Sequence, residues 1–184
     1  MVPMNVLKSI EADHGHILKV VDCLRKEAQR LTAGEKANFS LLLDALQYLS
    51  DYGDQYHHAK EDLVYAHFLA KTGEAREIIE MLVGEHEVLQ EKTRWLCQET
   101  DAIMHDAIEP LEPYIQALAS FCALQTEHLE TEESDVLPLL ASRLTPQDWQ
   151  AIETQMPGRG DPLFSKGPSS KDYEILFRHI AGKD

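Results

Sequence analysis

Four stretches of this chain place apolar residues at alternating steps of three and four, and every one of these stripes is broken by a histidine. The first runs Ile10, His14, Ile17, Val21, Leu24, Ala28, Leu31, and the third Ile79, Leu82, His86, Leu89, Thr93, Leu96. The fourth runs Tyr114, Leu118, Phe121, Gln125, His128, Glu132, Asp135, Leu139. The second, from about Phe39 to Phe68, is looser and carries Leu43, Leu46, Ser50, Gly53, His57, Val64 and Phe68. This rhythm predicts helices that each bury one face. Thr32–Ala33–Gly34, Thr72–Gly73 and the stretch Asp106–Pro113, with Pro110 and Pro113, supply the stops and starts between them. Helices of roughly 25 to 30 residues, each about 40 Å long, follow. Connections this short force neighbours to run antiparallel, so the expected fold is all-α, an up-down-up-down four-helix bundle over residues 1–144.

Beyond Leu144 the pattern changes into a C-terminal helical extension, residues 145–184, expected to pack on the bundle. Thr145–Pro146 can cap and start a short helix through Trp149 and Ile152, and the loop MPGRGDP follows. Ser169 or Ser170 can cap a last helix carrying Tyr173, Leu176, Phe177 and Ile180.

Composition removes several function classes. With 184 residues and 43% hydrophobic content the chain can bury a sizeable core, and 17 Lys plus Arg against 32 Asp plus Glu leave a net charge of −15. That surplus of acid argues against nucleic acid as a partner. Apolar runs such as Leu41–Leu43 are far shorter than the roughly 18 residues a membrane span needs, which argues against a membrane partner. The opening MVPMNVLKSI, followed by Glu11 and Asp13, has no leader pattern, so the expected location is cytoplasmic. Cys23, Cys97 and Cys122 are widely spaced and predict reduced, partly buried thiols. Trp95 and Trp149 are expected to pack in the core or under the tail.

The histidines form a pattern. His57 and Glu61, and likewise His128 and Glu132, are four apart, which puts both members of each pair on one helix face. Alone such a pair is a weak signal, since His58/Asp62 and His105/Glu109 match it too. The internal repeat raises it. His86 stands 72 residues after His14, His128 and Glu132 stand 71 after His57 and Glu61, and Asp13–His14 is answered by Glu85–His86. Two helix pairs, each giving one His and one H-x-x-x-E, would aim four imidazoles and two carboxylates at the bundle centre. Six inward polar groups are costly in an apolar core unless a metal compensates them. They exceed what one tetrahedral zinc takes and suit two octahedral first-row ions bridged by carboxylates. The expected cofactor is two iron ions, with manganese or zinc behind iron. A metal-free bundle with hydrogen-bonded core histidines is the competing arrangement. His16, two residues after His14, is expected to point elsewhere and be exposed, and His67, His105 and His179 are read as ordinary surface or packing residues.

These residues resemble the hemerythrin-like HHE cation-binding family over the whole bundle, about Met4 to Arg143. The likeness is carried by Asp13–His14, HHAKED at His57–Asp62, Glu85–His86 and HLETEE at His128–Glu133, and LTPQDW…DPLF…YEILFRHI resembles the extension of many members. The resemblance implies one iron on His14 and His57, the other on His86 and His128, with Glu61, Glu132 and an oxo or hydroxo group as bridges. One position departs. Oxygen-carrying hemerythrins have a further histidine four residues after the third-helix one, where this chain has Gln90. That predicts a vacancy on the His86/His128 iron, with His58, Glu87, Gln90 or a tyrosine as candidates to fill it. The family's iron–sulfur repair proteins carry an N-terminal cysteine module, and none precedes His14. Two roles are then expected, sharing a small diatomic ligand or peroxide as partner: a module that binds or senses dioxygen, nitric oxide or iron, or a redox enzyme for peroxide decomposition or iron oxidation.

Overall fold

In the computed structural model, which describes residues 5–106, 110–156, 160–164 and 173–182, four long rods lie side by side. Helix α1 (Asn5–Thr32) is the first rod. The second is continuous from α2 (Phe39–Tyr48) through a π-helical segment (Leu49–His57) into α3 (His58–Thr72). Helix α4 (Arg76–Met104) is the third. The fourth runs from α5 (Leu111–Thr131) through a π-helical turn (Glu132–Val136) into α6 (Leu137–Arg143). No strand occurs among the described residues, and no helix there is long and apolar enough to cross a membrane.

Local chemistry sets the rod ends. Asn38 caps α2 by accepting from the Leu41 amide at 3.0 Å, while its own amide donates to Glu27 of α1 at 2.6 Å, so the second rod starts pinned to the first. Gly73 closes α3 in the left-handed region (φ 67°), where a side chain would be strained. Thr145 and Asp148 form a reciprocal capping box for α7 (Pro146–Glu153).

The two π segments alter the stripes. In the fourth rod Asp135 is exposed and Leu139 half-buried, whereas Val136, Leu137 and Leu140 are buried. In the second, Leu43 and Ser50 are half-buried and Leu42, Leu49, Tyr52 and His58 take the inward positions. A π turn holds one residue more than an α turn, so the inward register slips there, which uniform helical spacing does not anticipate.

The core divides into two apolar clusters with a polar belt between them. In α1, Ile10 and Ile17 fall in different clusters with His14 between; in α4, Leu82 and Leu89 do the same around His86. The tail serves both ends. Trp149 and Ile152 of α7 join the cluster around Phe68, as α7 sits on α3, and Leu163, Tyr173 and Leu176 join the other against α2. Helix α8 (Glu174–Ile180) begins where Asp44 of α2 accepts from the Ile175 and Leu176 amides at 3.0 and 3.3 Å. The expected Ser169 or Ser170 cap lies outside the described residues, as do Glu109 and Pro157–Arg159 of the predicted loops. The three cysteines are free, Cys23 and Cys122 buried and Cys97 half-buried. Trp149 is buried, but Trp95 is 40% exposed on the outer face of α4, contrary to the expected packing.

Candidate metal centre

His14 of α1, His57 at the end of the first π segment, His86 of α4 and His128 of α5 meet in the polar belt, all 5% exposed or less. Glu61 of α3 and Glu132 at the start of the second π turn lie between them, fully buried. All six residues expected from the repeat are therefore together. A seventh joins them, because His58 is buried (3%) with its ring stacked on His86 at 4.2 Å. His57 and His58 follow one another on the buried face of their rod, as Val20 and Val21 do on α1. Glu87 and Gln90, the other candidates from sequence, are exposed and turn away from the belt.

The donors fall into two groups, each with one ligand atom per residue and all such atoms within 4.8 Å of one another: His14, His57, Glu61 and Glu132, and His58, Glu61, His86 and His128. The carboxylates span both. Glu61 sets Oε1 at 2.9 Å from His14 Nε2 and 3.2 Å from His57 Nε2, and Oε2 at 3.5 Å from His86 Nε2. Glu132 sets Oε2 at 3.4 Å from His14 Nε2, and Oε1 at 3.6 and 3.3 Å from the Nε2 atoms of His86 and His128.

Behind the rings a ring of acids fixes their orientation. His57 Nδ1 faces Asp13 (3.3 Å), His128 Nδ1 faces Glu85 (2.7 Å), His86 Nδ1 faces Asp62 (2.8 Å) and His14 Nδ1 faces Glu133 (3.2 Å). The pattern is reciprocal. The acid preceding each lone histidine serves the histidine of the neighbouring rod, and the acid following each glutamate serves the lone histidine of the other half. That accounts for the paired Asp13–His14 and Glu85–His86, and for an acid after both Glu61 and Glu132. Asp13 is itself held by Tyr52 (3.1 Å) and by Lys60. His58 Nδ1 lies 3.5 Å from the buried Asp54 carboxylate without a hydrogen bond between them. By the repeat offset His58 and Asp54 correspond to Leu129 and Gln125, so this fifth imidazole has no counterpart in the other half.

The donor set passes the test for a metal. With every Nδ1 turned outward, the Nε2 atoms of His57, His58, His86 and His128, with Glu61 Oε2 and Glu132 Oε2, are buried without a hydrogen-bond partner. So many orphaned buried polar atoms are rare in proteins. Histidines oriented by carboxylates and presenting Nε2 to a common centre are the usual setting of a metal ligand.

Without metal the belt neutralises itself. Burial disfavours charge on His57 and His86, but the Glu61 carboxylate and Asp13 raise His57 to about 9, and the facing carboxylates of Asp62 and Glu132 raise His86 to about 10. Burial opposes protonation of His128 too, and Glu132 overcomes it. Burial and the repulsion of Glu61 would raise Glu132, yet the neighbouring His128 and His86 rings hold it down at about 2. Burial likewise opposes charge on Glu61, which His57 and His14 keep ionised. His58 is held well below the usual range by burial and by its imidazolium neighbours, and burial lifts Asp54 to about 7.

The remaining histidines lie elsewhere. His105 is exposed; His67 Nε2 donates to Asp148 at 3.1 Å; His16, contrary to the expected exposure, is stacked on Phe164 at 4.0 Å and bonded to Asp161 at 3.2 Å. Asp13, His16 and Asp161 also converge within 4.8 Å, but Tyr48 and His16 already engage Asp161, and Tyr52, His57 and Lys60 engage Asp13. Among known proteins, the hemerythrin HHE cation-binding domain matches this chain over residues 5–140. No curated protein matches it at a significant level.

Proposed function

The chain belongs to the hemerythrin HHE cation-binding domain family, and from that premise we propose that it is a non-haem di-iron protein that binds or senses a small diatomic ligand such as dioxygen or nitric oxide. In this reading His14 and His57 would hold one iron and His58, His86 and His128 the other, with Glu61 and Glu132 as carboxylates available to both. Bound iron supplies a redox couple and a coordination position for an added ligand.

The observation that carries the proposal is the inequality of the two donor groups. The His58 side has three imidazoles with Glu61, and Glu132 Oε1 stands 3.3 Å from His128 Nε2 as a further donor, whereas the His14 side has two imidazoles with Glu61 and Glu132. The open position therefore belongs on the His14/His57 side, reversing the expectation drawn from Gln90, because His58 fills the vacancy on the other. Every donor residue is 5% exposed or less, which favours a ligand of a few atoms over a larger substrate. Asp13 and Glu133 fix the two rings at the open side, and the fixed rings, not a mobile loop, define the space left for the ligand.

One contact favours a second reading as a redox enzyme acting on peroxide. The buried Tyr65 hydroxyl donates to Glu132 at 2.7 Å, putting a phenol beside a shared carboxylate. A single experiment separates the two. Iron-loaded protein prepared without oxygen is exposed to oxygen, then nitric oxide, then peroxide, while its visible spectrum is followed. A charge-transfer band that appears with the gas and vanishes when the gas is removed supports binding. Catalytic peroxide loss that falls in Tyr65→Phe supports the enzyme.

A further inference from the structure

The outward face of α4 is unusual for a chain this acidic. Met81, Val88 and Trp95 are 47%, 43% and 40% exposed and stand seven residues apart, so they line up along the middle of that face. Gly84 lies on the same line, and nothing stands within 4 Å of where its Cβ would be. A glycine inside an exposed helix costs about 1 kcal/mol relative to alanine, and its one structural gift is that another helix can come close. Beside Trp95 a cleft of about 350 Å³ opens, lined by Glu91, Lys92, Leu96 and Ala117.

Charge selects the occupant. If two copies of α4 lie antiparallel with Trp95 of each set against Gly84 of the other, the heptad register places Arg94 beside Glu87 of the second copy and Lys92 beside its Glu85. Each pair occurs twice about the two-fold axis. Among the described residues none of Glu87, Lys92 and Arg94 has an ion-pair partner in its own chain, although acids outnumber bases almost two to one. A large indole over a glycine, flanked by four opposite-charge pairs, is a self-complementary surface of the kind a two-fold dimer needs. We propose that α4 pairs antiparallel with α4 of a second copy of this chain. Three exposed apolar side chains per copy fall short of the roughly 800 Å² per partner of a tight interface, so the dimer is a reversible one, with its register set by charge.

The test is sedimentation velocity on the iron-loaded full chain from about 1 to 200 µM, the range that reports a micromolar dissociation constant. The wild-type protein is expected to move from the 20.9 kDa chain mass toward twice that mass as concentration rises. Arg94→Glu and Glu87→Arg should each weaken association about tenfold or more, and the double variant, which swaps the pair, should recover most of it. Both substitutions are at exposed positions, and circular dichroism and iron content, expected to be unchanged, confirm that the fold is kept. A wild-type chain that stays at its monomer mass throughout overturns the proposal, as does a double variant no better than the singles.

Discussion

His58 and Leu129 occupy equivalent places in the two halves of the repeat, one polar and stacked on His86, the other apolar and buried. That one difference makes the two donor groups unequal. His58→Leu, which copies the other half, should therefore lower iron content from two per chain toward one, read by metal analysis. His57→Ala or His128→Ala should lose most of the metal, and His105→Ala none. Six of the seven central residues were legible in the sequence because the repeat marks them twice. His58 stood only as one of several candidates for the vacancy, since it is an unrepeated neighbour of a ligand. The clamping acids were visible only as unexplained matches, because partners on different rods have no fixed spacing. A residue outside the belt gives the pH dependence. Asp148, 15% exposed, caps α7 and bonds Lys71 and His67 of α3, and the bond from Lys71, first, then Thr145 and His67, hold its carboxyl far below the usual range. A depressed carboxyl stabilises the fold above its ordinary value near 3.8 and loses that contribution as pH falls. The melting-temperature gap between wild type and Asp148→Asn should thus be constant from about pH 5 to 8 and shrink below pH 4.

At the scale of elements, the helical stripes were read with one uniform period, and that was enough for the four rods and their order. It failed only where the period changes. Past Glu132 the inward set shifts from Asp135 and Leu139 to Val136, Leu137 and Leu140, and before His57 from Leu43 and Ser50 to Leu42, Leu49 and Tyr52. A π segment is a local cost accepted at functional positions. Here the first π segment ends at His57 and the second begins at Glu132, so each abuts a residue of the candidate centre.

The whole molecule is a two-fold repeat closed around a charged belt, with apolar clusters above and below and a tail fastened to both. Imidazolium–carboxylate pairing lets the metal-free bundle fold, since Glu61 and Glu132 find counter-ions in His57, His86 and His128. Metal binding then adds stability by mass action, about 3 to 4 kcal/mol at 100 to 1,000 times the dissociation constant. The metal-free protein should melt several degrees lower in calorimetry. The tail contributes through Leu163, Tyr173 and Leu176. Leu176→Ala, at a fully buried position, should cost ~2 to 4 kcal/mol, seen as a lower denaturant midpoint. The central claim is that one shared pair of carboxylates binds two irons together, and the most direct measurement is an anaerobic ferrous-iron titration of the purified chain and of Glu61→Ala, with bound metal quantified at each step. Two irons per wild-type chain, and loss of both in the variant, is the predicted result; a single iron in the wild type, or a variant that keeps its full load, would contradict it.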